Sequence, residues 1–198
     1  MPCDAPSAPP PGFVNLADNP AFELRIGYAT DANFTGAPLP GYGWPGAWLA
    51  EAPAAALERV AATLAEQQLK LVIFDAYRPR RASAAMAAWA ERVGRTELLG
   101  VYISRASGHN DGGSVDVGLA DLATGAILDM GAPWDTFDAT AHVRGATGEA
   151  AARRAQLQQA MIAAGWAPYW REWWHFRYEA HAGPPLDAPY GACEPGGS

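Results

Sequence analysis

Two short segments, far apart in the chain, carry side chains that suit a metal ion. The first contains Ser107, His109 and Asp116, and the second contains Glu172 and His175. Two imidazoles and one carboxylate are suitable ligands for zinc, whereas magnesium or calcium would require more oxygen ligands. Three protein ligands leave one tetrahedral position open for water, as in catalytic zinc sites. We therefore predict one zinc ion per chain, bound by His109, Asp116 and His175.

Glu172 lies three residues before the last predicted ligand. A carboxylate in this position can accept a proton from the water and pass one to a leaving amine, which is general acid–base catalysis. The alternative interpretation is a solvated carboxylate at the edge of a strand. In one regular strand, residues 172 and 175 would point to opposite faces, so we expect the strand to start after Glu172.

Arg78 follows a predicted buried strand and precedes a predicted helix. A cation at a helix start opposes the helix dipole, so stability gives little reason for this arginine. We predict that Arg78 stabilises negative charge on a peptide oxygen in the transition state. Asp75, three residues earlier, is placed to hold the guanidinium.

Composition indicates a single domain and argues against two classes of partner. The chain has 198 residues, of which 49% are hydrophobic, which is enough for one substantial core. Its net charge is −7 and Lys70 is the only lysine, so nucleic acid is not an expected partner. No apolar stretch approaches the roughly 18–20 residues that span a membrane. Composition gives no prediction of the oligomeric state.

The two cysteines, Cys3 and Cys193, lie near opposite ends of the chain in Pro- and Gly-rich segments. Neither has the CxxC spacing of a zinc or redox motif. Because chain termini are often close in space, a disulfide between them is one interpretation, and two unpaired cysteines are the other. A disulfide, and a Pro-rich start typical of the linker after an export signal, would fit a periplasmic or otherwise exported protein. A cytoplasmic location is the alternative.

The hydrophobic patterns predict strands and helices in an irregular order. Strands are predicted at residues 22–30, 69–75 and 114–119, in a short segment ending near Met130, and after Glu172 as far as Tyr178. Helices are predicted at residues 53–68, 81–93 and 149–164.

Without a regular βαβ repeat, these elements favour the α+β class. We predict a single domain with a central antiparallel sheet, helices packed on it and the zinc site in a cleft. The domain is predicted to span residues 21–185, between an irregular Pro-rich segment at 1–20 and an irregular tail at 186–198.

Five segments together resemble the D-alanyl-D-alanine dipeptidases, a branch of the zinc peptidases that also include D,D-carboxypeptidases and the hedgehog domain. The matching segments are YATDANFTG at 28–36, VIFDAYRP at 72–79, SGHNDGGSVD at 107–116, LDMG at 128–131 and EWWHF at 172–176. The resemblance implies the same three zinc ligands, Glu172 as catalytic base and Arg78 as the transition-state residue.

The resemblance also implies that Ser107, Tyr28 and Asp135 help to hold a small dipeptide substrate. Asp138 is close to Asp135 in the chain and competes for that assignment. We also count Asp75 among the predicted substrate-binding residues.

Two alternative functions remain open at this point. One is a D,D-carboxypeptidase or endopeptidase that acts on longer peptidoglycan stem peptides. The other is a non-catalytic zinc-binding module, against which Glu172 and Arg78 argue because a structural site needs neither.

Overall fold

The computed structural model describes residues 5–191, and its elements follow most of the predicted ones closely. The strands are β1 (Phe13–Asn15), β2 (Phe22–Leu24), β3 (Trp48–Ala50), β4 (Leu69–Asp75), β5 (Ser114–Asp121), β6 (Trp166–Pro168) and β7 (His175–Tyr178). The α-helices are α1 (Glu51–Ala65), α2 (Arg80–Arg92) and α3 (Gly148–Ala163). The predicted α+β class and single domain are confirmed.

The central sheet has five strands in the order β2-β4-β5-β7-β6. Three of its neighbouring pairs are antiparallel, but β2 and β4 are parallel, so the sheet is mixed and not antiparallel as predicted. The chain between these two strands contains α1, which provides the crossover that a parallel pair requires. A smaller sheet pairs β1 with β3.

The helices α1 and α3 contact each other and also contact the sheet, α1 at β4 and α3 at β5 and β6. They therefore cover one face of the sheet. α1 buries a stripe that includes Leu57, Val60 and Leu64, and it begins at Glu51, two residues before the predicted Pro53. A proline in the first helical turn removes no intrahelical hydrogen bond, so the helix accommodates it.

Two predicted strands are shorter or absent. The strand predicted at residues 22–30 ends at Leu24, and residues Gly27–Ala29 form a 3₁₀ turn. At Gly27 a Cβ atom would lie 2.7 Å from the carbonyl oxygen of Ala32 and 2.9 Å from the ring of Trp134, so the chain turns in close contact with both. The strand predicted to end near Met130 is reduced to one bridge between Ala120 and Ile127.

The segments predicted to be irregular are partly ordered against the domain. Residues 13–15 of the N-terminal segment form β1, and Ser7 donates a backbone hydrogen bond to Tyr190. In the C-terminal segment, Tyr190 is 1% exposed and packs against Trp48. Cys3 and Cys193 lie outside the described residues. Between residues 5 and 191, no helix combines the length and apolar character needed to cross a membrane.

Candidate active site and metal centre

The register of three neighbouring strands aligns three polar residues across one face of the sheet. Asp116 on β5 lies opposite His175 on β7 and opposite Asp75 at the end of β4. The β4–β5 register shifts between Ile73 and Asp75, which is a β-bulge of the kind often found beside active sites. Because directly opposed residues share a face, the bulge brings Asp75 to the same side as Asp116.

His109 reaches this row from a short 3₁₀ turn, Gly108–Asp111. Ser107 caps the turn by accepting a hydrogen bond from the backbone N–H of His109, and Gly112 ends it with φ 73°. The imidazole Nδ1 of His109 lies 2.6 Å from the carbonyl oxygen of Ala76, to which it donates. This fixes the tautomer and leaves Nε2 as the free acceptor facing the row.

Three acceptor atoms converge at the centre of the site. Nε2 of His109 lies 3.0 Å from Nδ1 of His175 and 3.2 Å from Oδ1 of Asp116, and the last two atoms are 2.9 Å apart. Lone pairs that face one another at these distances require a cation or a proton between them. His109, Asp116 and His175 form a group that could hold one metal ion.

The electrostatics of Asp116 support an ionised ligand. Burial alone would raise the pKa of its carboxyl group, but the interactions with His109 and His175 hold that pKa well below its usual range. Nη2 of Arg78 lies 3.8 Å from Oδ2 of Asp116, and the indole N–H of Trp134 donates to the same oxygen at 3.4 Å. The carboxylate is thus oriented as well as charged.

Arg78 is held in the wall of the cavity by a buried carboxylate. Its Nε and Nη2 atoms donate to Oδ2 of Asp75 at 2.9 Å and 2.8 Å. The other oxygen of Asp75 accepts a hydrogen bond of 2.5 Å from the hydroxyl of Tyr42. The ring of Tyr28 lies under the guanidinium, 5.2 Å from its carbon. These contacts fix the direction in which Arg78 presents its remaining N–H groups.

Glu172 precedes β7, as the sequence predicts, and it lines the cavity with His109 and His175. Its Oε2 atom lies 3.9 Å from Nδ1 of His175. Burial, followed by the negative charge of Asp116, raises the pKa of Glu172 to about 8. A carboxylate in this environment favours binding a proton near neutral pH, which suits a general base.

Asp135 lines the same cavity and has one free oxygen. Its Oδ1 accepts a hydrogen bond of 3.0 Å from the hydroxyl of Tyr28, whereas its buried Oδ2 has no partner. The backbone of Asp135 has φ 63°, a left-handed conformation that costs energy for a residue other than glycine. Burial and the charge of Asp116 raise the pKa of Asp135 well above its usual range.

The amino-acid sequence of the chain matches a known protein family over most of its length. A family model described as D-ala-D-ala dipeptidase matches residues 12–192. The chain belongs to the D-Ala-D-Ala dipeptidase family.

Several bacterial members of the dipeptidase family are similar to this chain over most of their length. The D-alanyl-D-alanine dipeptidase of Streptomyces coelicolor is 33% identical over 180 residues, which are 82% of this chain and 89% of that protein. That of Enterococcus faecium is 31% identical over 165 residues, or 75% of this chain and 82% of the relative. That of Escherichia coli K12 is 31% identical over 176 residues, or 88% of each chain.

In this member of the dipeptidase family, eight of the nine predicted site residues line one cavity. It is lined by Tyr28, Arg78, Ser107, His109, Asp116, Asp135, Glu172 and His175. Asp75 is the exception and corrects our prediction, because it is fully buried behind Arg78 and does not line the cavity. Asp138, the competitor of Asp135, caps a 3₁₀ turn instead.

Several residues that shape the site were not predicted from the sequence. Tyr42 binds Asp75 across a separation of 33 residues. Asn110 donates from its amide to the carbonyl of Arg78 and to Ser83. No local pattern marks Tyr42, but Asn110 stands beside a predicted ligand and could have been suspected.

Proposed function

We propose that the protein is a zinc-dependent dipeptidase that hydrolyses D-Ala-D-Ala to two molecules of D-alanine. Family membership supports peptide hydrolysis, and the similar proteins of three bacteria are D-alanyl-D-alanine dipeptidases. The observation that carries the choice of a dipeptide is the free, buried oxygen of Asp135 at the cavity wall. A free ammonium group, as at the start of a dipeptide, would satisfy this oxygen in both charge and hydrogen bonding.

The three converging acceptors fit a tetrahedral zinc ion. Ligand atoms about 2.0–2.1 Å from such an ion lie roughly 3.3 Å from one another. The three distances in this site are 3.0, 3.2 and 2.9 Å. Two imidazole nitrogens and one carboxylate oxygen also match the ligand types that zinc accepts. The hydrogen bond from His109 to Ala76 is a typical outer contact of such a ligand.

The reaction follows from the roles that each side chain can perform. When bound, zinc supplies a Lewis acid that acidifies water and polarises the scissile carbonyl. Glu172 accepts the proton of the attacking water and then delivers it to the nitrogen of the departing D-alanine. Arg78, held by Asp75, donates hydrogen bonds to the carbonyl oxygen as negative charge develops on it. Asp135 and Tyr28 hold the ammonium group, which positions the peptide bond.

The dimensions of the cavity also favour a short substrate. Its volume is about 290 Å³, near the lower end of ligand pockets, which typically measure roughly 300–1,000 Å³. Its lining includes four aromatic side chains, which are Phe34, Tyr102, Phe137 and Tyr169. A stem peptide extended beyond the amino group would have to replace the ammonium beside Asp135 with an uncharged amide.

The proposal is tested by measuring D-alanine released from D-Ala-D-Ala by the zinc-loaded protein. N-acetyl-D-Ala-D-Ala and a muramyl pentapeptide serve as comparison substrates, because their D-Ala-D-Ala unit has no free amino group. We expect turnover of the free dipeptide alone, and Asp135→Asn should raise KM for it. Turnover of the pentapeptide in preference would indicate a D,D-carboxypeptidase, and zinc binding without hydrolysis of any peptide would indicate a binding module.

A further inference from the structure

The side chain of Arg177, on β7, is enclosed by hydrogen-bond acceptors from two segments. Nη1 donates to the carbonyl of Gly108 at 2.8 Å and to Oδ1 of Asp111 at 2.6 Å. Nη2 donates to Oδ2 of Asp111 at 2.8 Å and to the carbonyl of His181 at 2.9 Å. The pairing with Asp111 is bidentate, which is the strongest and most directional form of this ion pair. Only arginine presents such a fork of donors.

Two glycines make room for the guanidinium. A Cβ atom at Gly113 would lie 2.5 Å from Nη1 and 2.7 Å from Cζ of Arg177. A Cβ atom at Gly108 would lie 3.2 Å from Nη1 and 2.5 Å from the hydroxyl of Ser114. The guanidinium therefore lies directly against the backbone of the turn that carries His109. This close fit distinguishes the contact from an ordinary surface ion pair.

The positions of the two charged residues relate the contact to the metal centre. Asp111 lies two residues after His109, and Arg177 lies two residues after His175. His109 is on a short turn and His175 is on β7, so the two imidazoles reach the site from different elements. The backbone N–H of Tyr178, on β7, also donates a hydrogen bond to the carbonyl of Gly113, but Gly113 lies after the end of the turn that carries His109.

We propose that Arg177 and Asp111 are positioning residues that lock the His109 turn onto β7. The pair thereby keeps Nε2 of His109 and Nδ1 of His175 at the separation a single metal ion needs. This inference rests on the metal centre of the proposed function. It predicts that loss of the pair weakens metal binding even though neither residue touches the ion.

The test compares the zinc affinity of full-length variants, measured by competition with a chromophoric chelator. Arg177→Met keeps the aliphatic stem but removes the donors, and Asp111→Asn keeps the shape but removes the charge. Outer contacts of metal ligands typically contribute about 10–100-fold to metal affinity, and we expect a loss of that order in both variants. Arg177→Lys should recover only part of the loss. The visible spectrum of the cobalt-substituted protein should change in Arg177→Met because the ligand geometry relaxes.

Leu64→Ala is the matched control for a general loss of stability. Leu64 is fully buried on α1, outside the metal centre, so its truncation lowers the melting temperature without touching either segment. We expect its zinc affinity and cobalt spectrum to match those of the wild type.

The outcomes separate this inference from the proposed function. Wild-type protein that binds no zinc overturns both proposals. Wild-type protein that binds zinc and hydrolyses D-Ala-D-Ala, with variants that bind zinc within twofold of it, overturns the positioning role alone. A loss of affinity in Leu64→Ala as large as in Arg177→Met would also overturn it. If Arg177→Met does not fold, Asp111→Asn decides, because it retains the contacts of Arg177 with Gly108 and His181.

Discussion

Replacement of Glu172 by glutamine should remove hydrolysis and, in the metal-free protein, stabilise the fold at alkaline pH. Burial and the charge of Asp116 raise the pKa of Glu172 from its ordinary value of 4.5 to about 8. Between these two values the folded protein keeps a proton that the unfolded chain has released. Stability of the metal-free wild type therefore decreases as pH rises through this window, because ionising Glu172 opposes folding.

The magnitude follows from the same two values. A pKa difference of one corresponds to about 1.4 kcal/mol, so full ionisation would cost the fold about 5 kcal/mol at most. Between about pH 5 and about pH 8, Glu172 should reduce the free energy of unfolding by up to about 3 kcal/mol. Glutamine has nearly the same shape and does not titrate. In a protein of this size the resulting difference in Tm is about 6–12 °C at the alkaline end.

Urea unfolding of chelator-treated wild type and Glu172→Gln across this pH range measures the effect. The two proteins should have similar stability near pH 5 and diverge as the pH rises. Glu66→Gln makes the same chemical change at an exposed position after α1 and should follow the wild type. If the free energy of unfolding had the same pH dependence in wild type and Glu172→Gln, burial would not disfavour the ionised form of Glu172, and the reasoning would be refuted. Zinc should reduce the divergence, because a nearby divalent cation favours the ionised carboxylate.

Three further predictions concern the surroundings of the site. Arg78→Lys should retain zinc but lower kcat about 10²–10³-fold, because lysine cannot keep the paired contact with Asp75 and still reach the oxyanion. Metal analysis and steady-state kinetics measure this, and an unchanged kcat would contradict it. Tyr190→Phe should lower the free energy of unfolding by about 1–3 kcal/mol, because the hydroxyl of Tyr190 accepts a hydrogen bond from the N–H of Trp48 and donates one to the carbonyl of Tyr77. A urea-unfolding midpoint equal to that of the wild type would disprove this. Dialysis against a chelator should abolish hydrolysis, and about one equivalent of zinc should restore it; hydrolysis that persists in protein shown to be metal-free would count against the metal centre.

The sequence predicted those parts of the site that depend on local patterns. The mainly apolar segment Leu69–Asp75 predicted both ends of β4, since the consecutive apolar residues from Leu71 to Phe74 and the aspartate that follows them are typical of a buried strand. Glu172 and His175 would point to opposite faces of one regular strand, so the strand was predicted to start after Glu172. β7 begins at His175, as this predicts. These inferences use periodicity and spacing within a few residues, where the sequence carries most of its information.

Features that depend on packing between distant segments were not predictable in the same way. The β-bulge that brings Asp75 opposite Asp116 has no distinctive local pattern. The same is true of Tyr42, which reaches Asp75 from a separate loop. Arg177 and Asp111 are each ordinary in their own segments, and their pairing across 66 residues appears only when the sheet register is known. Asp75 lies behind Arg78 and not in the wall of the cavity, and its position three residues before Arg78 in the sequence does not distinguish these two placements.

The buried charges of the site divide into those that the protein satisfies and those that it does not. Asp75 is paired with Arg78, although burial still raises its pKa, and Asp116 has two histidines and the indole of Trp134. Asp135 and Glu172 remain short of compensating charge, and burial raises the pKa of both. A buried carboxylate without a counter-charge lowers the stability of a fold, so its presence favours a functional reason. The reaction provides one for each, because an ammonium group would neutralise Asp135 and the attacking water would supply a proton to Glu172.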